Sequence, residues 1–248
     1  MTWAWLLLAG VGAGLVGSTA GLASLVSYPA LLATGIGPLA ANVTNAVAMT
    51  ATTAGSMWGG RRELHGQRRR LVELAAASAV GGAVGALLLL STPASAFEAV
   101  VPWLVALGSV LLMARDPIRR WARWEGSQLR PATWWWLPLL AVVGVYGGYF
   151  GAGVGVILLA VVSLSTVEPL AVSNAVKNVG TGAANGVAAI GYAVLGPVHW
   201  GAALPMAVGA LLGGALGPAA VRVLPERPLR ILVGLAGLAL AVHLLNAG

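Results

Sequence analysis

The sequence contains no cysteine, which excludes disulfides, thiol nucleophiles and thiolate metal sites. Charge is nearly as scarce: 8% of its 248 residues are charged, against about 25% in an ordinary soluble domain, and 58% are hydrophobic. Carboxylates number only seven, and none falls between Glu168 and Glu226. Histidine is limited to His65, His199 and His243, too scattered for a metal cluster, and no cofactor is expected. No acidic pair lies within an apolar segment, and no serine sits in a G-x-S-x-G elbow, so an intramembrane hydrolase lacks its parts. The chain reads as a non-enzyme.

What is present is a succession of apolar runs of about 20 residues, long enough to cross a hydrocarbon core of about 30 Å. The expected class is an all-α polytopic membrane protein. Its net charge of +7 comes from arginines clustered between apolar segments, which argues for membrane topology and against nucleic-acid binding. The opening "MTWAWLLLAGVGAG" has the apolar core of a signal peptide without its basic region and is read as mature sequence, with Trp3 and Trp5 at a membrane interface.

Two apolar stretches, about 3 to 33 and 134 to 163, exceed a single upright crossing. At 1.5 Å per residue the first would reach roughly 46 Å, so its closely spaced glycines are expected to break it into two half-helices, as in the second. Simpler helices are expected at about 38 to 58, 71 to 91, 97 to 114, 168 to 192, 198 to 221 and 228 to 246.

The second half repeats the first. Gly14, Gly17 and Gly21 match Gly144, Gly147 and Gly151 at an offset of 130, and at an offset of 132 "ANVTNAVA" lies over "SNAVKNVG" while Gly81 and Gly85 lie over Gly213 and Gly217. The expected organisation is a first repeat at 1–115, a basic cytoplasmic linker at 116–133 and a second repeat at 134–248. Arginines mark the connections at 61–70 and 115–130, whereas in the second half they sit at Arg222, Arg227 and Arg230, where the first half has the uncharged "STPAS". That inversion of sign favours inverted repeats, each with a re-entrant or discontinuous segment plus three transmembrane helices. The rival is eight plain crossings.

The chain's one lysine, Lys177, lies inside the second repeat. On a helix Asn174, Lys177, Asn178, Thr181 and Asn185 share a face, an intramembrane polar stripe. The repeat sets Asn42 over Asn174, Asn45 over Lys177 and Thr53 over Asn185, so both halves are expected to aim polar groups at one pocket with a single cation. Gly151, Gly153 and Gly155, beside the break, would expose helix N-termini to an anion. Ser18, Thr19, Ser24, Ser27, Tyr146 and Tyr149 are weaker candidates, and His199 beside Trp200 reads as an interface marker more than a proton relay.

These features resemble the TauE/SafE sulfite exporter family, small bacterial membrane proteins built from a duplicated module. The likeness rests on "GLVGSTAGLASLVSYPALL" and "GVYGGYFGAGVGVILL", on "AANVTNAV" and "SNAVKNVG", and on "GGAVGALL" and "GGALGPAA". It implies transport of a small anion such as sulfite or an organosulfonate across the bacterial plasma membrane, by a multi-pass protein whose partners are that anion and the lipid bilayer. Ala23, Ser24 and Leu25 replace the glycine run that the family's first module tends to carry. A small carboxylate remains an alternative cargo, a non-transporting membrane subunit an alternative role, and a homodimer stays open.

Overall fold

The computed structural model describes residues 2–114, 116–118, 120–121, 133–165, 169–220 and 226–247. Most of the linker expected at 116–133, and Arg222, lie outside them. The described chain is helical without strands: α1 (Thr2–Ala20), α2 (Ser24–Leu32), α3 (Pro38–Gly59), α4 (Arg68–Ser91), α5 (Ala94–Met113), α6 (Thr133–Tyr149), α7 (Val154–Ser165), α8 (Leu170–Leu195), α9 (Trp200–Ala220) and α10 (Glu226–Ala247). Proline sets several starts. Pro38 opens α3, and Pro93 and Pro169 precede α5 and α8, where a missing N–H costs nothing.

Both long apolar stretches break where glycine is required. Gly21 closes α1 at φ +78°, and Gly151 and Gly153 separate α6 from α7 at φ +78° and +80°, a left-handed conformation costly for any residue with a Cβ. After its break, α2 turns back along α1: Gly17 faces Ala23, and Gly12 faces Val26. The first apolar stretch is therefore a hairpin of one long and one short helix.

Among the described residues four helical segments are long and apolar enough to cross a membrane, Thr2–Thr19, Arg68–Ser91, Ala94–Met113 and Trp200–Gly217. α3 and α8, with 22 and 26 residues, have the length without that hydropathy. Their polar residues turn inward: Asn42, Thr44, Asn45, Thr52 and Ser56 on α3 and Ser173, Lys177 and Asn178 on α8 are buried. The outer surface is apolar instead, with Leu8, Val80, Leu87, Val110, Leu204 and Val194 exposed, as suits a protein whose solvent is hydrocarbon.

Small residues bring the helices together. Gly10 and Gly14 of α1 abut Met206 and Ala210 of α9, and Gly209 and Gly213 return the contact at Leu7 and Val11. In the same way Gly81 and Gly85 of α4 abut Ala141 and Val145 of α6. With no side chain between them the backbones touch, the small-residue packing that replaces the hydrophobic effect inside a bilayer. The contact order makes α1 parallel to α9 and α4 parallel to α6. α4 also runs parallel to α8, through Leu74 against Gly180, Gly82 against Ala184 and Leu90 near Gly191. α3 and α8 run antiparallel, since Val43 meets Gly196, Thr53 meets Gly182 and Gly60 meets Ala175.

Candidate functional site

Where α3 crosses α8, four side chains from each helix face one cavity. Met49, Thr52, Thr53 and Ser56 come from α3, and Lys177, Asn178, Thr181 and Asn185 from α8. Both sets follow helical spacing, which is why one face of each helix supplies them. The glycine breaks close the remaining sides, with Gly17, Gly21, Ala23 and Ser24 from the first and Gly151 and Val154 from the second. Ser24 and Val154 are the first residues of α2 and α7, so both short helices begin at the cavity and turn their partial positive ends toward it. The enclosed volume is about 40 Å³.

Lys177 is 1% exposed. A Cβ on Gly21 would stand 3.2 Å from its Nζ, so the bare glycine backbone is what the amine lies against. Among the described residues the lining carries this one basic side chain, several hydroxyl and amide groups, and no acidic one. Thr181 donates to the Lys177 carbonyl at 2.9 Å, leaving the hydroxyl oxygen as an acceptor.

The expected site residues separate into two groups. Lys177, Asn178, Thr181, Asn185 and Gly151 line the cavity together. Asn42, Asn45, Asn174, Gly153 and Gly155 do not. Asn42 donates to the Tyr149 carbonyl at 3.0 Å, and Asn174 donates to the Ser18 carbonyl at 2.9 Å, which Asn178 also reaches at 3.3 Å. Those carbonyls end α6 and α1 and have no helical N–H to accept from, so asparagines of the opposite half cap the two interrupted helices. Asn45 instead holds α2 against α3, donating to Ser24 Oγ at 3.1 Å and accepting from Ser27 Oγ. Gly153 packs beneath Gly108 of α5, and Gly155 packs on Gly21.

The weaker candidates mostly bond backbone. Ser18 and Thr19 donate to the Leu15 carbonyl of their own helix, and Tyr146 ties across its break to the Ala152 carbonyl. Tyr149 lies toward Phe97, with ring centroids 6.1 Å apart. His199 is exposed, and its backbone N–H donates to Thr44 Oγ1 at 3.0 Å, away from the cavity. Sequence reasoning missed Met49, Thr52 and Ser56 as lining residues. Their i, i+3, i+7 spacing within "MTATTAGS" was the available signal.

Replacing Asn42 by Leu leaves the Tyr149 carbonyl buried without its donor, at a cost of about 2 kcal/mol. The variant is expected to melt measurably lower in detergent than Asn42→Gln, which keeps an amide there.

Residues 6–244 match the family described as "Sulfite exporter TauE/SafE". The chain is also similar to a "Probable membrane transporter protein ORF9" of Sinorhizobium sp, at 27% identity over 243 residues, covering 98% of this chain and 92% of that protein. No solved structure matches.

Proposed function

Because this chain belongs to the sulfite exporter TauE/SafE family, it is a multi-pass membrane transporter and not an enzyme, and we propose that it carries a sulfur oxyanion or organosulfonate, such as sulfite or a sulfoacetate-like ion, across the bacterial plasma membrane. The observation that carries the cargo's sign is the set of groups described around the cavity: one buried ammonium, two helix N-termini, hydroxyls and amides. A compact trigonal or tetrahedral oxyanion presents several acceptor oxygens, which such a set of donors satisfies from more than one side. The test is counterflow in proteoliposomes. Labelled sulfite should exchange against internal sulfite or sulfoacetate and not against acetate or chloride. Preferential exchange of a short carboxylate would replace the sulfur chemistry, and no exchange of any anion would favour a subunit role.

The proposal includes an inverted architecture, with repeats at 1–115 and 134–248 and the cargo bound between them at mid-membrane depth. Three features support it. Each half follows the order long, short, long, long, long; the equivalent helices α3 and α8 run antiparallel; and the contact of α1 with α9 has its counterpart in that of α6 with α4. The cysteine-free chain makes the test simple. In the inverted arrangement His65 and His199 lie on opposite sides of the membrane, whereas eight plain crossings put them on the same side. An impermeant thiol reagent added to intact cells is expected to label His199→Cys and spare His65→Cys. Equal labelling of both would overturn the inverted arrangement.

A further inference from the structure

A second cavity, of about 370 Å³, lies on the outside of the protein where α3, α4 and α8 diverge. Its floor is apolar, formed by Leu71, Val72 and Ala75 of α4 with Met57 of α3 and Val179 of α8. Its mouth carries Arg68, the first residue of an apolar segment long enough to span a membrane. Arg68, Leu71, Val72 and Ala75 follow one another along a single face of α4, so the groove runs from a guanidinium at the helix start down into the apolar zone.

We infer that this groove is a binding site for an anionic phospholipid, with its phosphate on Arg68 and an acyl chain along Val72 and Ala75. Charge complementarity favours that occupant. Residues 61 to 73 hold five arginines against two glutamates. Three of its four neighbouring arginines already have contacts: Arg69 pairs with Glu73 at 2.9 Å, Arg61 lies 5.3 Å over the Trp58 ring, and Arg70 donates to Gln67 at 3.1 Å and lies 5.9 Å over Trp136. Among the described residues none supplies a carboxylate to Arg68, which is exposed at the groove. Trp58, exposed beside Arg61, suits a headgroup boundary. A zwitterionic lipid would fill the apolar part equally well and gain less at the guanidinium.

The groove also backs onto the anion cavity. Ser56 and Asn178 line the one, while their chain neighbours Met57 and Val179 line the other.

The experiment is native mass spectrometry of the full chain released from mixed micelles, titrated with phosphatidylglycerol and with phosphatidylcholine of matched chains. Wild type is expected to retain phosphatidylglycerol preferentially. Arg68→Gln should weaken that binding about fivefold, the effect of about 1 kcal/mol for one arginine near an anionic headgroup. Ala75→Phe, which fills the groove and keeps the charge, should weaken both lipids. Arg69→Gln should behave as wild type, and melting curves without added lipid confirm that each variant is folded. Wild-type lipid retention by either Arg68→Gln or Ala75→Phe would overturn the site, as would equal losses in the Arg68 and Arg69 variants.

Discussion

Lys177→Gln is expected to reduce anion transport in proteoliposomes by roughly tenfold to a hundredfold. A hydrogen bond to a charged group contributes about 1.5 to 3 kcal/mol, and glutamine keeps a donor there while removing the charge that an anion needs. Melting curves in detergent check that the variant is folded before its exchange is compared with wild type. Lys177→Arg should restore only part of the activity, since the longer, planar guanidinium must fit where Gly21 approaches the amine. Wild-type exchange by folded Lys177→Gln protein would remove this residue from the cargo site.

Gly21→Ala should be the most destabilising single methyl addition at the cavity. Its backbone sits at φ +78°, where an L-residue costs about 1 to 2 kcal/mol. The new Cβ would also stand 2.7 Å from Gly155 Cα and 3.2 Å from Lys177 Nζ, overpacking that adds about 1 to 3 kcal/mol. Together these predict a melting temperature lower by roughly 10 °C for a chain of this size. Gly35→Ala is the control. Its φ is +83°, yet nothing lies within 4 Å of the added methyl, so it should show the backbone cost alone. Equal shifts in the two variants would mean that the contact between Gly21 and Gly155 contributes nothing.

Much of this architecture was legible in the sequence because the residues that punctuate it act locally. Prolines at 38, 93 and 169 set helix starts, and the glycine clusters fell where an apolar run was too long to be one crossing. The stripe on α8 was also readable, since helical spacing alone brings Lys177, Asn178, Thr181 and Asn185 to one side. The roles of Asn42 and Asn45 were not. A carboxamide that could meet a ligand is chemically the same as one that meets an orphan carbonyl, and only the position of Tyr149 in the fold shows which carbonyl Asn42 reaches. Thr52 and Ser56 were obscured for the opposite reason: intramembrane hydroxyls usually bond their own helix, and Ser56 does donate to the Thr53 carbonyl at 3.0 Å while still lining the cavity.

Asn45 and Lys177, which the expected repeat would superpose, serve different ends. The asparagine fastens α2 to α3, whereas the lysine lies near Gly21 at the first break.

The exchange of small-residue contacts between α1 and α9 bears on how the protein is made. When α1 leaves the ribosome its glycine face has no mate, and it must wait in the bilayer until α9 has been synthesised. The N-terminal half therefore cannot reach its final packing during translation. Chains stalled before α9 should expose that bare ridge to membrane quality-control proteases, which makes α9 the helix that rescues α1.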